Sequence, residues 1–308
     1  MPPALAPAAA PAAPAAAPVP GRASAGYRAF STSWFVLIHI VPFVALAWVG
    51  VSVAAVVLAF LMYVLRMLAV TTGYHRLFSH RSYETSRAYA FLVAAAACTA
   101  IQKGPLWWAS VHRLHHKASD TPEDAHSPVQ RGFWWAHMGW ICSPAHSTTE
   151  WSRVQDWAKF PEIVWLDRWH FVPPILLGAV IFFGGGALAA AFPGLHTSGA
   201  QLLVWGMGVS TVVLYHGTWC VNSVLHVWGS KRFKTGDESR NNRFVAWITM
   251  GEGWHNNHHR YQASERQGFY PGEIDLGHVF LSMLAKLGIV RRLKVPPESV
   301  LEEGRRAL

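Results

Sequence analysis

Nine of the 17 histidines in this 308-residue chain fall at spacings that suit metal ligation. His75 and His80 form an H-x4-H box, His112, His115 and His116 an H-x2-H-H box, and His255, His258 and His259 repeat the second spacing. His226 stands alone, with Asn222 four residues before it. On a helix, residues i, i+3 and i+4 share a face, so the three imidazoles of each H-x2-H-H box can turn toward one centre. The adjacent pair diverges by about 100°, so its two members can address two different ions. Asn222 and His226 share a face by the same geometry. His75 and His80 do not share one on a regular helix, which predicts a helix end or a bend at that box. Nine imidazoles exceed the needs of one ion and suit two. Imidazole accepts iron, zinc, copper and nickel alike, so the donor type does not choose the metal.

A metal-bound histidine usually donates its other ring N–H to a carboxylate or carbonyl. Asp120 and Asp124, just after the second box, and Glu252, three residues before His255, are the candidates for that role. The other eight histidines (His39, His126, His137, His146, His170, His196, His216 and His278) are read as non-ligands.

The boxes must be carried by long apolar elements. The chain is 52% hydrophobic and 14% charged, well below the charge content of a soluble domain. No charged residue occurs from Trp34 to Leu65, and apolar character continues to Val70. One helix of that length would be about 55 Å long against a hydrocarbon core of about 30 Å, so it is cut near Gly50 into spans at 34–50 and 52–72. A second block divides at Pro193-Gly194 into spans at 171–192 and 202–225. The apolar run 88–101 is too short to cross and suits an interfacial or buried helix.

Charge orients these spans. The connections near 50 and at 193–201 hold no Lys or Arg, whereas 73–170 holds ten and the chain after Gly229 holds thirteen. The positive-inside rule puts both basic segments on the cytoplasmic face. The expected fold is therefore an all-α integral membrane protein, with four transmembrane helices in two hairpins and a helical cytosolic cap at 73–170 and 226–292. All the histidine boxes then lie on one aqueous side. Residues 1–25, rich in Ala and Pro, read as a disordered tail, and 293–308 as a C-terminal tail.

Several function classes fall away. The net charge of +9 comes from membrane-flanking Lys and Arg, and no nucleic-acid motif accompanies it. Cys98, Cys142 and Cys220 are isolated, which excludes a disulfide framework or an iron–sulfur site. The spans hold no Asp or Glu, which argues against a metal transporter.

The motifs Gly73-Tyr-His-Arg-Leu-Phe-Ser-His-Arg-Ser-Tyr83, His112-Arg-Leu-His-His-Lys117, Gly132-Phe-Trp-Trp-Ala-His-Met-Gly-Trp140, Asn222-Ser-Val-Leu-His226 and Gly251-Glu-Gly-Trp-His-Asn-Asn-His-His259 resemble those of the membrane fatty acid desaturases. The type is the delta-9 acyl-CoA and acyl-lipid one, and the resemblance covers about 34–290, within a domain set at 30–292. It implies two iron ions held by His75, His80, His112, His115, His116, His226, His255, His258 and His259, with Asn222 acting through a water and no catalytic side chain beyond the ligands. It also implies a narrow tunnel that holds the acyl chain against the metals, for which Trp107, Trp108, Trp134, Trp135 and Trp219 are candidate wall residues. Acyl-CoA members of the animal type carry Arg-Asp directly before the second box. Here that position is Ser110-Val111, which leaves an acyl-lipid or another thioester carrier open.

The expected activity is O2-dependent insertion of a cis double bond into a fatty acyl chain on CoA or lipid. An unactivated methylene has no acidic proton, so redox chemistry with O2 is needed, and redox-silent zinc cannot supply it. Electrons are expected from a separate ferredoxin- or cytochrome b5-like carrier, with Lys231, Arg232 and Lys234 as candidate docking charges. The competing enzyme reading is a histidine-box hydroxylase of fatty acyl or alkane chains. The expected location is a bacterial-type cytoplasmic membrane with the active site on the cytoplasmic face.

Overall fold

The computed structural model describes residues 25–307. Residues 1–24, which carry the expected disordered tail, lie outside the described residues, as does Leu308. Helices α1 (Ala25–Val49) and α2 (Val53–Ala69) form the first hairpin. Gly50 turns the chain with φ +64°, a left-handed conformation that favours glycine. Ser52 then caps α2 by accepting from the Ala55 amide at 3.2 Å, an N-cap of the usual kind.

The first span, expected at 34–50, is longer than that. Its apolar part, Ser31–Val49, has 19 residues and needs no thinning of the bilayer. The second, expected at 52–72, does not stop there. It passes without interruption into a π-helical stretch, Val70–Ser79, so that the apolar helix runs over 27 residues from Val53 to Ser79.

The second hairpin starts with the helix Val172–Ala191. The chain returns through Gly199–Leu203, a π-helical segment Val204–Val209 and the helix Ser210–Asn222, which abut one another. The return was expected at 202–225; it ends at Asn222, and His226 sits in a separate 3-10 turn, Val224–His226. The α-helix that carries Asn222 therefore does not continue through His226. Three helices among the described residues are long and apolar enough to cross a membrane: Ser31–Val49, Val53–Ser79 and Val172–Ala191. The 199–222 segment carries Gln201, His216 and Thr218 and is less apolar for that reason.

The hairpin tips meet at one end. Gln201 Nε2 donates to the Val49 carbonyl at 2.7 Å, the Ser52 hydroxyl donates to Gln201 Oε1 at 2.6 Å, and Trp205 Nε1 donates to the Gly50 carbonyl at 2.9 Å. Gly199 lets the second hairpin close: a Cβ there would lie 2.0 Å from the Phe182 carbonyl oxygen. Arg66, buried inside α2, is satisfied by Thr211 Oγ1 at 2.7 Å, the Thr99 carbonyl at 3.2 Å and the Ser210 hydroxyl. A cation inside an apolar span requires such partners. On the outside, Leu37, Ile40, Val41, Phe60, Ile175 and Val180 are exposed, an apolar belt too broad for a water-facing surface.

The remaining elements gather at the other end. Helix α3 (Arg87–Cys98) packs Ala90, Ala94, Ala97 and Cys98 inward, so the apolar run 88–101 forms a half-buried helix beside the π-helical stretch. Helix α4 (Pro105–Ala118) begins with a proline, and Asp167 Oδ1 accepts from its Leu106 and Trp107 amides at 2.9 and 2.8 Å. A two-residue antiparallel pair, Glu84–Thr85 with Val290–Arg291, ties the C-terminal region beside the first histidine box. Residues 293–308, read as a tail, contain the helix Glu298–Arg306, whose Val300 packs on Phe233, Phe269 and Tyr270.

Candidate metal centre

The π-helical stretch resolves the geometry of the first box. In an α-helix a residue five positions on lies about 140° round the axis. In a π-helix, i→i+5 bonding brings it back over the first. The His80 amide donates to the His75 carbonyl at 3.3 Å, and the two Nε2 atoms stand 3.1 Å apart.

The nine box histidines gather into two groups. His75, His80, His112, His116 and His258 form one, and His115, His226, His255 and His259 the other. Each H-x2-H-H box serves both. His115 and His116 part to opposite groups, as do His258 and His259, following the 100° step between neighbours. The three imidazoles of one box thus do not meet at a single centre. Asn222 lines a cavity together with His112 and His126.

Four of the nine imidazoles have a buried carboxylate at Nδ1. Glu252 Oε2 lies 2.5 Å from His75, Asp124 Oδ2 3.0 Å from His115, Asp120 Oδ2 2.9 Å from His226, and Asp237 Oδ2 2.6 Å from His259. Asp237 was not singled out from the sequence. It lies 22 residues before its partner in a polar loop, and no spacing rule marks it. Gln267 was missed too; its amide stands 3.2 Å from His75 Nδ1 and donates to Glu252 Oε2 at 2.8 Å. Arg76 completes this group, donating to Asp275 Oδ1 at 2.8 Å and to Glu252 Oε1 at 3.3 Å.

The carboxylates stay ionised. Burial opposes ionisation of Asp120, but the hydrogen bond and charge of His226, with hydrogen bonds from the Ser127 hydroxyl and the Glu238 amide, together outweigh it and draw the carboxyl down to about 2. Burial likewise opposes Asp237 and Asp124, and their bonded imidazoles, His259 and His115, hold both well below the usual carboxylate range. Burial, reinforced by neighbouring imidazoles, keeps His80, His112, His116, His255 and His258 neutral by lowering each well below the ordinary imidazole value.

This arrangement tests whether the residues fit a metal. A neutral imidazole carries one ring proton. Where Nδ1 donates to a carboxylate, Nε2 presents a bare lone pair. His115 and His259, both backed by a carboxylate, face one another through Nε2 at 3.3 Å, while His75 and His226 turn theirs toward Nε2 of His258 and His255, at 3.1 Å each, whose own Nδ1 atoms are buried without a hydrogen-bond partner. Buried lone pairs at such distances repel unless a cation lies among them. The donor set and its carboxylate backing fit a divalent transition ion in each group.

The box residues between the histidines fasten the short helix His255–Arg260 in place. Asn256 accepts from the Phe233 and Arg232 amides at 2.7 and 2.8 Å, and Asn257 donates to Glu273 Oε2 at 2.8 Å. His126, read as a non-ligand, lies with His115 and Asp124, its ring centroid 4.5 Å from that of His115.

Beside the imidazoles lies a cavity of about 790 Å³, within the range of small-molecule sites. Trp107, Trp108, Val111, Trp140, Tyr215 and Trp219 wall it, and His112 and Asn222 reach it. Of the five tryptophans expected at a tunnel wall, Trp107, Trp108 and Trp219 line this cavity. Trp134 is 67% exposed and Trp135 lies under the Arg131 guanidinium; both lie outside the cavity wall. Of the basic candidates for docking a redox partner, Lys231 pairs with Glu238 at 2.8 Å and Arg232 with Glu273, while Lys234 is exposed.

An apolar-belted helical protein with clustered buried imidazoles beside an aromatic cavity is a membrane-associated, metal-binding protein. Comparison with known proteins refines this. The model of the fatty acid desaturase family matches residues 46–264. The chain is 36% identical over 249 residues to a chloroplastic palmitoyl-monogalactosyldiacylglycerol delta-7 desaturase of Arabidopsis thaliana, covering 80% of this chain and 63% of that relative. It is 35% identical over 268 residues to an sn-1 stearoyl-lipid 9-desaturase of Anabaena variabilis, covering 86% of this chain and 93% of the relative. An acyl-CoA C20 delta5-desaturase of Anemone leveillei is 36% identical over 235 residues, covering 75% and 71% respectively. The chain belongs to the fatty acid desaturase family and is an oxidoreductase of lipid metabolism.

Proposed function

We propose that the protein is a multi-pass membrane desaturase that uses two irons and O2 to place a cis double bond, at the delta-9 position, in a fatty acyl chain carried on lipid or CoA. The observation that carries this reading is the convergence of nine box imidazoles in two groups beside an aromatic cavity. In it, His75, His80, His112, His116 and His258 hold one iron. His115, His226, His255 and His259 hold the other, with Asn222 contributing through a water. Bound there, the iron pair supplies the redox chemistry with O2 that an unactivated methylene requires.

The chain's own residues bind, orient and exclude water. Asp120, Asp124, Asp237 and Glu252 fix the ring orientation and the tautomer of their imidazoles. Trp108, whose ring centroid lies 4.9 Å from that of His112 and nearly parallel to it, presses the acyl chain toward the ligands. A shift near one ångström would move the target carbon. One turnover removes one hydrogen from each of two neighbouring carbons. With O2, two electrons and two protons it yields two waters, and the electrons come from a separate ferredoxin- or cytochrome b5-like carrier.

The membrane arrangement is four spans in two hairpins under a cytosolic cap. The 199–222 segment forms the fourth span, and the cap comprises 73–170 and 226–292. The shared hairpin tips lack Lys and Arg while the box-bearing end is rich in them, which supports a cytoplasmic active face. The test is expression in a host that lacks delta-9 products, with lipid analysis by mass spectrometry and iron analysis of the purified protein. Desaturation removes two hydrogens from the acyl chain. Gain of an oxygen instead would make the protein a hydroxylase, and unchanged lipids with bound iron and a working electron donor would overturn the proposal.

A further inference from the structure

Three residues that wall the cavity also face outward. Trp34 on α1, and Phe171 and Ile175 at the head of the helix Val172–Ala191, line the cavity and are 55%, 44% and 64% exposed. Helix α1 packs on Val204–Val209, whereas Val172–Ala191 packs on Gly199–Leu203. The flank between them is where the cavity meets the surface. Both helices carry apolar outer faces, so this flank belongs to the bilayer. It lies away from the hairpin tips, near the membrane–water boundary on the side of the histidine boxes.

A cation stands at the same mouth. Ile101 and Lys103 both adopt left-handed backbone, with φ +58° and +62°, a costly state for a β-branched residue such as Ile101. That turn places Ile101, Gln102 and Lys103 in the cavity wall. Lys103 Nζ donates to the Ser147 carbonyl at 2.8 Å and lies 4.4 Å from the centroid of the Trp107 ring. Among the described residues no carboxylate pairs with it. Asp167 is nearby, but its oxygens accept from the Leu106 and Trp107 amides and from the Thr149 hydroxyl, the last at 2.7 Å. Arg168 and His170 line the adjoining hollow together with Lys103 and Ser147.

Resting on the desaturase reading, we propose that the acyl chain enters sideways from the bilayer between α1 and the helix Val172–Ala191, while Lys103 receives the phosphate of an anionic membrane glycerolipid. The chain of such a lipid already lies in the hydrocarbon layer, and its phosphate sits at the interface where Lys103 waits. A water-soluble thioester would gain nothing from a mouth on the apolar flank.

The test uses the iron-loaded full chain with an electron donor, in vesicles of branched-chain lipid that cannot be desaturated. Stearoyl groups are offered as phosphatidylglycerol, as phosphatidylcholine or as stearoyl-CoA. The expected result is conversion of both phospholipids, phosphatidylglycerol with the lower KM, and little of the thioester. Ile175→Trp, which fills the mouth, lowers phospholipid turnover at least tenfold. Lys103→Met raises KM for phosphatidylglycerol roughly tenfold with kcat unchanged, the effect of losing one charge-assisted contact, and raises that for phosphatidylcholine, whose choline offsets the phosphate charge, by less. If Ile175→Trp does not retain iron, Lys103→Met carries the test. Conversion of stearoyl-CoA alone, an Ile175→Trp enzyme with full phospholipid turnover, or equal KM values in Lys103→Met and wild type would each overturn the inference while leaving the desaturase standing. Failure of all three substrates would remove the desaturase reading, and the inference with it.

Discussion

Replacing Asp237 by alanine takes away the carboxylate that orients one box imidazole, His259, from behind. Asp237 Oδ2 accepts from His259 Nδ1 at 2.6 Å, with the two side chains 8% and 2% exposed. A buried hydrogen bond to a charged group is worth about 1.5–3 kcal/mol. At about 1.4 kcal/mol per decade, its loss weakens metal binding in the four-histidine group by roughly 10–100-fold, the usual effect of losing a partner behind a metal ligand. Asp237 also accepts from the Thr235 hydroxyl at 2.6 Å and the Ser239 amide at 3.0 Å, so the alanine variant loosens that loop as well. Asp237→Asn keeps the size and an acceptor oxygen but removes the charge, and it should show a smaller loss. The assay is competition for iron against a chelator of known affinity, together with the number of ions retained per chain. Affinity within threefold of wild type in both variants, or equal weakening of both ions, would refute the reasoning.

His115→Ala and His258→Ala should each abolish turnover, and each should strip a different ion; elemental analysis should find close to one iron per chain in place of two. The pH dependence of the metal-free protein follows from His259, whose imidazole burial lowers to about 4 against about 6.5 in the unfolded chain. Between those values the unfolded chain binds more protons, so stability is full above about pH 6.5 and declines as pH falls toward 4; thermal unfolding in detergent across that window measures it. Gly199→Ala should destabilise the second hairpin by about 1–3 kcal/mol, since its Cβ would meet the Phe182 carbonyl, and a lowered unfolding midpoint would register this. Trp219→Ala enlarges the cavity wall, so the product profile should shift to a different chain length or double-bond position in lipid analysis.

Local spacing was legible wherever the helix period alone governs side-chain direction. The divergence of His115 from His116, and of His258 from His259, follows from the 100° step per residue and needs no knowledge of the fold. The apolar blocks revealed the hairpins for a similar reason: about 20 residues must bridge the hydrocarbon layer whatever packs beside them. Span boundaries were less legible. The run from Val53 to Ser79 is continuous because tertiary packing buries Val70 through Ser79 entirely, and that burial favours a π-helical path which composition does not signal. Asp120, Asp124 and Glu252 could be nominated because they lie near a box in the chain. Asp237 and Gln267 could not, since they reach His259 and His75 through loops whose course no periodicity describes.

The residue types and their spacing by themselves determined that this chain enters a membrane and presents nine imidazoles in helical registers suited to two ions. Which imidazole joins which group was decided only by the tertiary structure, because it depends on how α4, the His255–Arg260 helix and the π-helical turn cross one another. The cavity beside them, and the place where it meets the bilayer, were decided there too, since a void is defined by side chains far apart in sequence that fail to meet.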